Sequence, residues 1–197
     1  MDKIVGGIIL AGGQSRRMGT NKALLRLEPG GPTIIEKVLT ALREVSPEIW
    51  LVTNQPTTYA GLGLPMVGDN YQVGASLAGL EAGLTVSPHQ FNLVVACDMP
   101  YLNPILLRTL VDWPRDYAAL VPLNNEGQPE TLCAIYSKDC LPAIRMQLAQ
   151  GQYRLAGWLS QVKTVFVPAA KLEIADPGLG SFTNLNTPSE FERYRNG

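Results

Sequence analysis

Apolar residues recur along this chain with two different periods, and the alternation between them predicts the order of elements. The run KIVGGIIL (residues 3–10) is almost wholly apolar and ends against glycine, the pattern of a buried strand. In TIIEKVLTALREV the apolar positions Ile34, Ile35, Val38, Leu39, Leu42 and Val45 fall on one helical stripe, with Pro32 and Thr33 at its start. EIWLVTN (48–54), PMVGD (65–69) and NLVVACD (92–98) read as further strands, the last being the clearest buried one. Between them lies ASLAGLEAGLTV (75–86), a helix of small residues. PILLRTLVDW (104–113) is a helix with proline in its first turn.

The second half is less regular. AALVPL (118–123) and TLCAIYS (131–137) read as strands around a turn rich in Asn, Gly and Pro. KDCLPAIRMQLAQG (138–151) predicts a helix with Pro142 near its start, RLAGWLSQ (154–161) a short helix, and TVFVP (164–168) a strand. In TPSEFERYRN, Thr187 stands as N-cap, Pro188 at the first helical position and Glu190 three residues after the cap, which is a capping box. Strands alternating with helices predict a three-layer, Rossmann-like α/β fold with a mainly parallel sheet. In such sheets ligands bind beyond the carboxyl ends of the strands. With no repeats, low-complexity tracts or obvious linkers, residues 1–197 are expected to form a single domain.

Composition narrows this picture. Hydrophobic residues make up 46% of 197, enough for a substantial core. The net charge of −1, without long basic runs, argues against a nucleic-acid-binding surface as the main purpose. No apolar stretch approaches the roughly 18 residues of a membrane span. The N-terminus lacks the pattern of a secretory signal, so the expected location is the cytoplasm. Cys97, Cys133 and Cys140 have no CxxC spacing and read as reduced structural thiols. His89, the one histidine, lies in the loop SPHQ and reads as a surface residue.

The stretch LAGGQSRRMG (10–19) sets glycines and arginines directly after the first strand, where this architecture keeps its ligand. Glycines let backbone N–H groups approach an anion, and Arg16, Arg17 and Lys22 add positive charge, a combination suited to a polyphosphate. It is not a Walker A loop: Gly13 and Gly19 are six apart, and Thr20-Asn21-Lys22 stands where Gly-Lys-Ser/Thr is needed. Nor is it GxGxxG. Asp98 closes an apolar strand at the same edge, where a carboxylate is costly unless it meets a cation; otherwise it would serve the turn before Pro100. Asp69 also ends a strand, though Asp-Asn is ordinary turn chemistry.

LAGGQSRRMGTNKALL resembles the signature LAGGxSxRMGxxK of nucleotidyltransferases, and the chain as a whole is similar to the molybdenum cofactor guanylyltransferases of that superfamily. VTNQ, VGDNYQVGASLAGLEAGL, VVACDMPYLNPILL and FTNLNTPSEFE match further stretches of the family in the right order. One departure is that Ala75-Ser76 stands where the family usually has a proline before LAG. The resemblance implies transfer of GMP from GTP to the terminal phosphate of molybdenum–molybdopterin, with magnesium required and pyrophosphate released.

It also implies roles for residues. Arg17, Lys22 and Asp98 would be catalytic, Asp98 as the Mg²⁺ ligand. Leu10, Ala11, Gly12, Gly13, Lys22, Asn54 and Asp69 would bind the nucleotide, with Arg16 secondary to Arg17. Asn184 and Asn186, two apart and on one side of an extended segment, would meet the molybdopterin acceptor. The nucleotide-binding part would span about 1–113 and the acceptor-binding part about 114–197. An oxidation-sensitive acceptor implies transient contact with cofactor-delivering and cofactor-receiving proteins. A cytidylyltransferase of the same cofactor or a sugar-phosphate nucleotidyltransferase would share the first loop and Asp98. A non-catalytic nucleotide-binding partner is a third reading, against which the joint presence of Arg17, Lys22, Asp69 and Asp98 speaks.

Overall fold

The computed structural model describes residues 4–12, 21–71 and 73–183. In chain order these form β1 (Gly6–Leu10), α1 (Ile34–Arg43), β2 (Ile49–Val52), α2 (Pro56–Tyr59), β3 (Met66–Val67), α3 (Ser76–Val86), β4 (Phe91–Ala96), α4 (Pro104–Val111), β5 (Ala119–Pro122), β6 (Cys133–Ser137), α5 (Leu141–Ala149), β7 (Thr164–Val167) and α6 (Ala169–Leu172), with short 3-10 turns between. The strands make one sheet in the order β3-β2-β1-β4-β6-β5-β7. β3-β2-β1-β4 run parallel, as do β5 and β7. β6 is antiparallel to both its neighbours, so the sheet is mainly parallel with one reversed strand.

The fully buried run of β1, Gly6 to Leu10, reflects this placement: it is a central strand covered on both faces. One apolar cluster joins Ile9, Leu51 and Val95 of the sheet to Ile35, Leu39 and Leu42 of α1 and to Leu106 and Leu110 of α4. The other joins Ile8, Leu10, Val52 and Val94 to Leu77, Leu80 and Leu84 of α3 and to Ile144 and Leu148 of α5. These are the two helical layers of the predicted three-layer fold. α1 begins where its stripe begins, with Thr33 and Glu36 forming a reciprocal capping box. α4 is capped by the Asn103 side chain ahead of Pro104. α3 lies close on the sheet because Gly83 lacks a side chain: a Cβ there would stand 2.8 Å from Ile8 Cγ2. Glu81, buried on α3, pairs with Arg145 Nε of α5 at 2.8 Å, pinning two helices that come from opposite halves of the chain.

Two expectations need correction. Residues 154–161 do not form an α-helix; they make turns that end in a 3-10 turn, Leu159–Gln161. Leu155, Trp158 and Leu159 have helical spacing, but Gln147 intervenes: its Nε2 donates to Arg154 O at 2.6 Å, and its Oε1 fills the space that a Cβ on Gly157 would need. The apolar residues still pack, and Trp158 is fully buried. His89 is not freely exposed. Its side chain is 18% exposed, and Nε2 lies 2.9 Å from Glu48 Oε2, at the end of the sheet away from the strand termini that carry the candidate residues. The thiols are reduced, as expected, with Cys133 and Cys140 buried. Burial pushes Cys97 and Cys140 each up to about 12, so both stay protonated near neutral pH. The expected capping box at Thr187, Pro188 and Glu190 lies outside the described residues.

Candidate functional site at the carboxyl edge of the sheet

The sequence leaves β1 in the middle of the sheet, with β2 on one side and β4 on the other. Chain order reverses across β1 and β4, and open α/β sheets bind ligands beyond the carboxyl ends of the strands at such a point. Four segments leave the strands there. Ala11 and Gly12 follow β1, Thr53 and Asn54 follow β2, Gly68 and Asp69 follow β3, and Cys97 and Asp98 follow β4. Backbone bonds carry the ladder beyond the strands and align these ends: Ala11 N donates to Val52 O at 2.8 Å, Thr53 N to Val67 O at 2.8 Å, and Cys97 N to Leu10 O at 3.2 Å. The structure therefore brings Leu10, Ala11, Gly12, Asn54, Asp69 and Asp98 to one edge. Among the described residues, nothing lies within 4 Å of where a Cβ on Gly12 would be.

Asn54 and Asp69 form a reciprocal pair. Asn54 Nδ2 donates to Asp69 Oδ2 at 2.6 Å, and the Asp69 backbone N–H donates to Asn54 Oδ1 at 3.0 Å. Gly68 permits this closeness, since a Cβ there would lie 2.9 Å from Asn54 Oδ1. The pair fixes both side chains while leaving them at the carboxyl edge.

Asp98 is half-buried. Burial raises its carboxyl above the ordinary value, while its own backbone N–H and the Lys22 charge pull the other way. Lys22 thus lies near enough for its charge to act on Asp98. It begins a 3-10 turn, Lys22–Leu24, whose cap is Asn21: the Asn21 side chain accepts from the Ala23 N–H. Among the described residues, no group of three or more His, Cys, Asp or Glu side chains gathers as a metal cage. A carboxylate held in a desolvated position suits a divalent cation that takes one or two protein carboxylates and completes its shell with phosphates and water.

A second network, not anticipated from sequence, ties the loop after β4 to the segment before the C-terminal asparagines. Asn103 N donates to Ser181 Oγ at 2.9 Å, and Ser181 N donates to Asp176 Oδ2 at 2.9 Å. Asn103 Nδ2 donates to Ala175 O at 3.2 Å. The partners of Asn103 are 72 and 78 residues away along the chain, so no local pattern announces them. Tyr59, buried on α2 and bonded to Asn21, was missed for the same reason. Gly13, Arg16, Arg17, Asn184 and Asn186 lie outside the described residues.

Comparison with known proteins agrees with this architecture. Residues 7–165 match the model of the MobA-like NTP transferase domain. The molybdenum cofactor guanylyltransferase of Desulfosudis oleivorans is 36% identical over 195 residues, covering 98% of this chain and 95% of that protein. The crystal structure of molybdopterin-guanine dinucleotide biosynthesis protein A from Archaeoglobus fulgidus superposes with a TM-score of 0.82 at 27% identity, over 98% of this chain and 97% of that one. The matching family model, the near-full-length relatives and the superposed fold together show that the chain belongs to the MobA-like NTP transferase family and is a nucleotidyltransferase enzyme.

Proposed function

We propose that the protein transfers GMP from GTP to the terminal phosphate of molybdenum–molybdopterin, releasing pyrophosphate and forming molybdopterin guanine dinucleotide. What supports this reading is the carboxyl edge that carries Ala11–Gly12, the Asn54–Asp69 pair and Asp98, with the Lys22 charge acting on Asp98, in a chain whose relatives bear that activity in their names.

GTP lies along the carboxyl edge. The segment Leu10, Ala11 and Gly12, with Gly13 beyond it, borders base and ribose, and the Asn54–Asp69 pair presents a fixed donor and acceptor set to the nucleoside. A compact ammonium on a long stem suits Lys22 to the β- and γ-phosphates, with Arg17 sharing that load. Asp98 would hold Mg²⁺. When bound, the ion offsets the repulsion between two phosphates and polarises the α-phosphate. The attacking oxygen belongs to a phosphate that is already ionised, so the chain need not supply a general base. Asn184 and Asn186 are assigned to the acceptor on the family motif that they belong to. We assign about 1–113 to the nucleotide and about 114–197 to the acceptor, within a single domain. An acceptor prone to oxidation favours direct handover between proteins, in the cytoplasm.

Nucleotide choice tests the guanylyl part of the reading. GTP with Mg²⁺ should bind more tightly than ATP, CTP or UTP in calorimetry, because a wrong base leaves polar groups of the site unmatched at a cost of about 1–3 kcal/mol each. Equal affinity for all four would leave only the nucleotidyltransferase assignment standing.

A further inference from the structure

The turn that carries Lys22 is held from beneath by a residue outside every motif of the first loop. Tyr59 is 3% exposed, at the end of the short helix that follows Asn54. The Asn21 side-chain amide donates to the Tyr59 hydroxyl at 2.9 Å, and that hydroxyl lies 3.3 Å from Asn21 Oδ1, as a donor to it. The same Oδ1 accepts from Ala23 N at 3.2 Å and so caps the turn that begins at Lys22. One buried phenol and one amide thereby hold the cap of the turn that begins at Lys22.

We propose that Tyr59 is a positioning residue for phosphate binding: through Asn21 it fixes the turn of Lys22 so that the ammonium meets the β- and γ-phosphates of the nucleoside triphosphate. This role rests on the phosphate reading of Lys22 given above. An amide confined on both sides cannot rotate, so the turn is formed before the ligand arrives. A lysine on a preformed turn binds phosphate without the ordering cost that a loose loop incurs. The link also joins two strand ends, because Tyr59 belongs to the segment leaving β2 and Asn21 to the loop leaving β1. Burial raises the Tyr59 hydroxyl above its ordinary value, which keeps it protonated and able to donate.

A double-mutant cycle separates positioning from plain stability. GTP and GMP affinities are measured by calorimetry with Mg²⁺ on the full chain, for wild type, Tyr59→Phe, Lys22→Ala and the pair. Tyr59→Phe should weaken GTP about fivefold, the worth of one ordinary hydrogen bond. It should leave GMP unchanged, since GMP has no β- or γ-phosphate. On the Lys22→Ala background it should have no further effect on GTP, because the group it positions is gone. An equal loss on both backgrounds, an equal loss for GMP and GTP, or no loss at all would overturn the proposal. Should Tyr59→Phe fail to fold, Asn21→Ala, on a partly exposed residue, enters the same cycle and is judged by the same outcomes. Wild-type GTP affinity in Lys22→Ala would instead remove the phosphate reading of Lys22, and the positioning role with it.

Discussion

In the proposed reaction Asp98 is the side chain that would hold the metal. It is half-buried at a strand end, and burial outweighs the help of its own N–H and of Lys22, so the carboxyl sits above its ordinary value of 3.8. A raised carboxyl opposes folding once ionised: the penalty is absent below the unfolded value and develops as pH rises from there through the folded value. Two effects of Asp98→Asn follow. Without metal and nucleotide at neutral pH, the melting temperature should stay level or rise. With saturating GTP, Mg²⁺ and acceptor, turnover should fall at least about 100-fold, or roughly 2.7 kcal/mol of barrier, while GTP binding falls only modestly. A folded Asp98→Asn protein turning over near the wild-type rate would make Asp98 a turn residue and Asp69 the next candidate for the metal. Single residues of this kind were legible in the sequence because an apolar run that stops at a carboxylate is conspicuous. Tyr59 and Asn103 were not, because Tyr59 meets Asn21 from 38 residues away and Asn103 meets Ser181 from 78, pairings that exist only in the fold.

At the scale of elements, the seven strands and the helices α1, α3, α4 and α5 could all be read from periodicity and caps, since each buries a run or a stripe long enough to show a period. α2 could not: PTTY is four residues long and mostly polar, and it exists to carry Tyr59 inward. The helix expected at 154–161 failed for the opposite reason, as its apolar spacing serves a turn held by Gln147. α3 offers a sharp test of packing against propensity. A Cβ at Gly79 would meet Leu10 and Val52 at 3.5 Å, ordinary contact, whereas at Gly83 it would meet Ile8 at 2.8 and 3.1 Å and Val52 at 3.1 Å. Replacing a helical glycine by alanine gains up to about 1 kcal/mol. Overpacking a core costs about 1–3 kcal/mol. Gly79→Ala should therefore be neutral or stabilising in urea unfolding, and Gly83→Ala destabilising by about 1 kcal/mol or more. Equal effects at the two positions would mean that α3 does not press on β1 as described.

For the molecule as a whole, the two halves of the chain share one sheet. β4 of the first half pairs with β6 of the second over five residues, from Phe91↔Ser137 to Val95↔Cys133. The Asn103–Asp176–Ser181 network and the Glu81–Arg145 pair add links between the first half of the chain and the second. Such an arrangement suits the proposed reaction, in which a nucleotide assigned to one half and an acceptor assigned to the other would be held against a common frame. The central claim is that this frame moves GMP, and no other nucleotide, onto molybdenum–molybdopterin. Pyrophosphate release, measured with each of the four nucleoside triphosphates against molybdenum–molybdopterin and against sugar phosphates, tests it most directly. The account predicts release with GTP, Mg²⁺ and molybdenum–molybdopterin together, one pyrophosphate for each dinucleotide formed, and little from any other pairing. Release that is as fast with CTP, or that needs a sugar phosphate as acceptor, would contradict it.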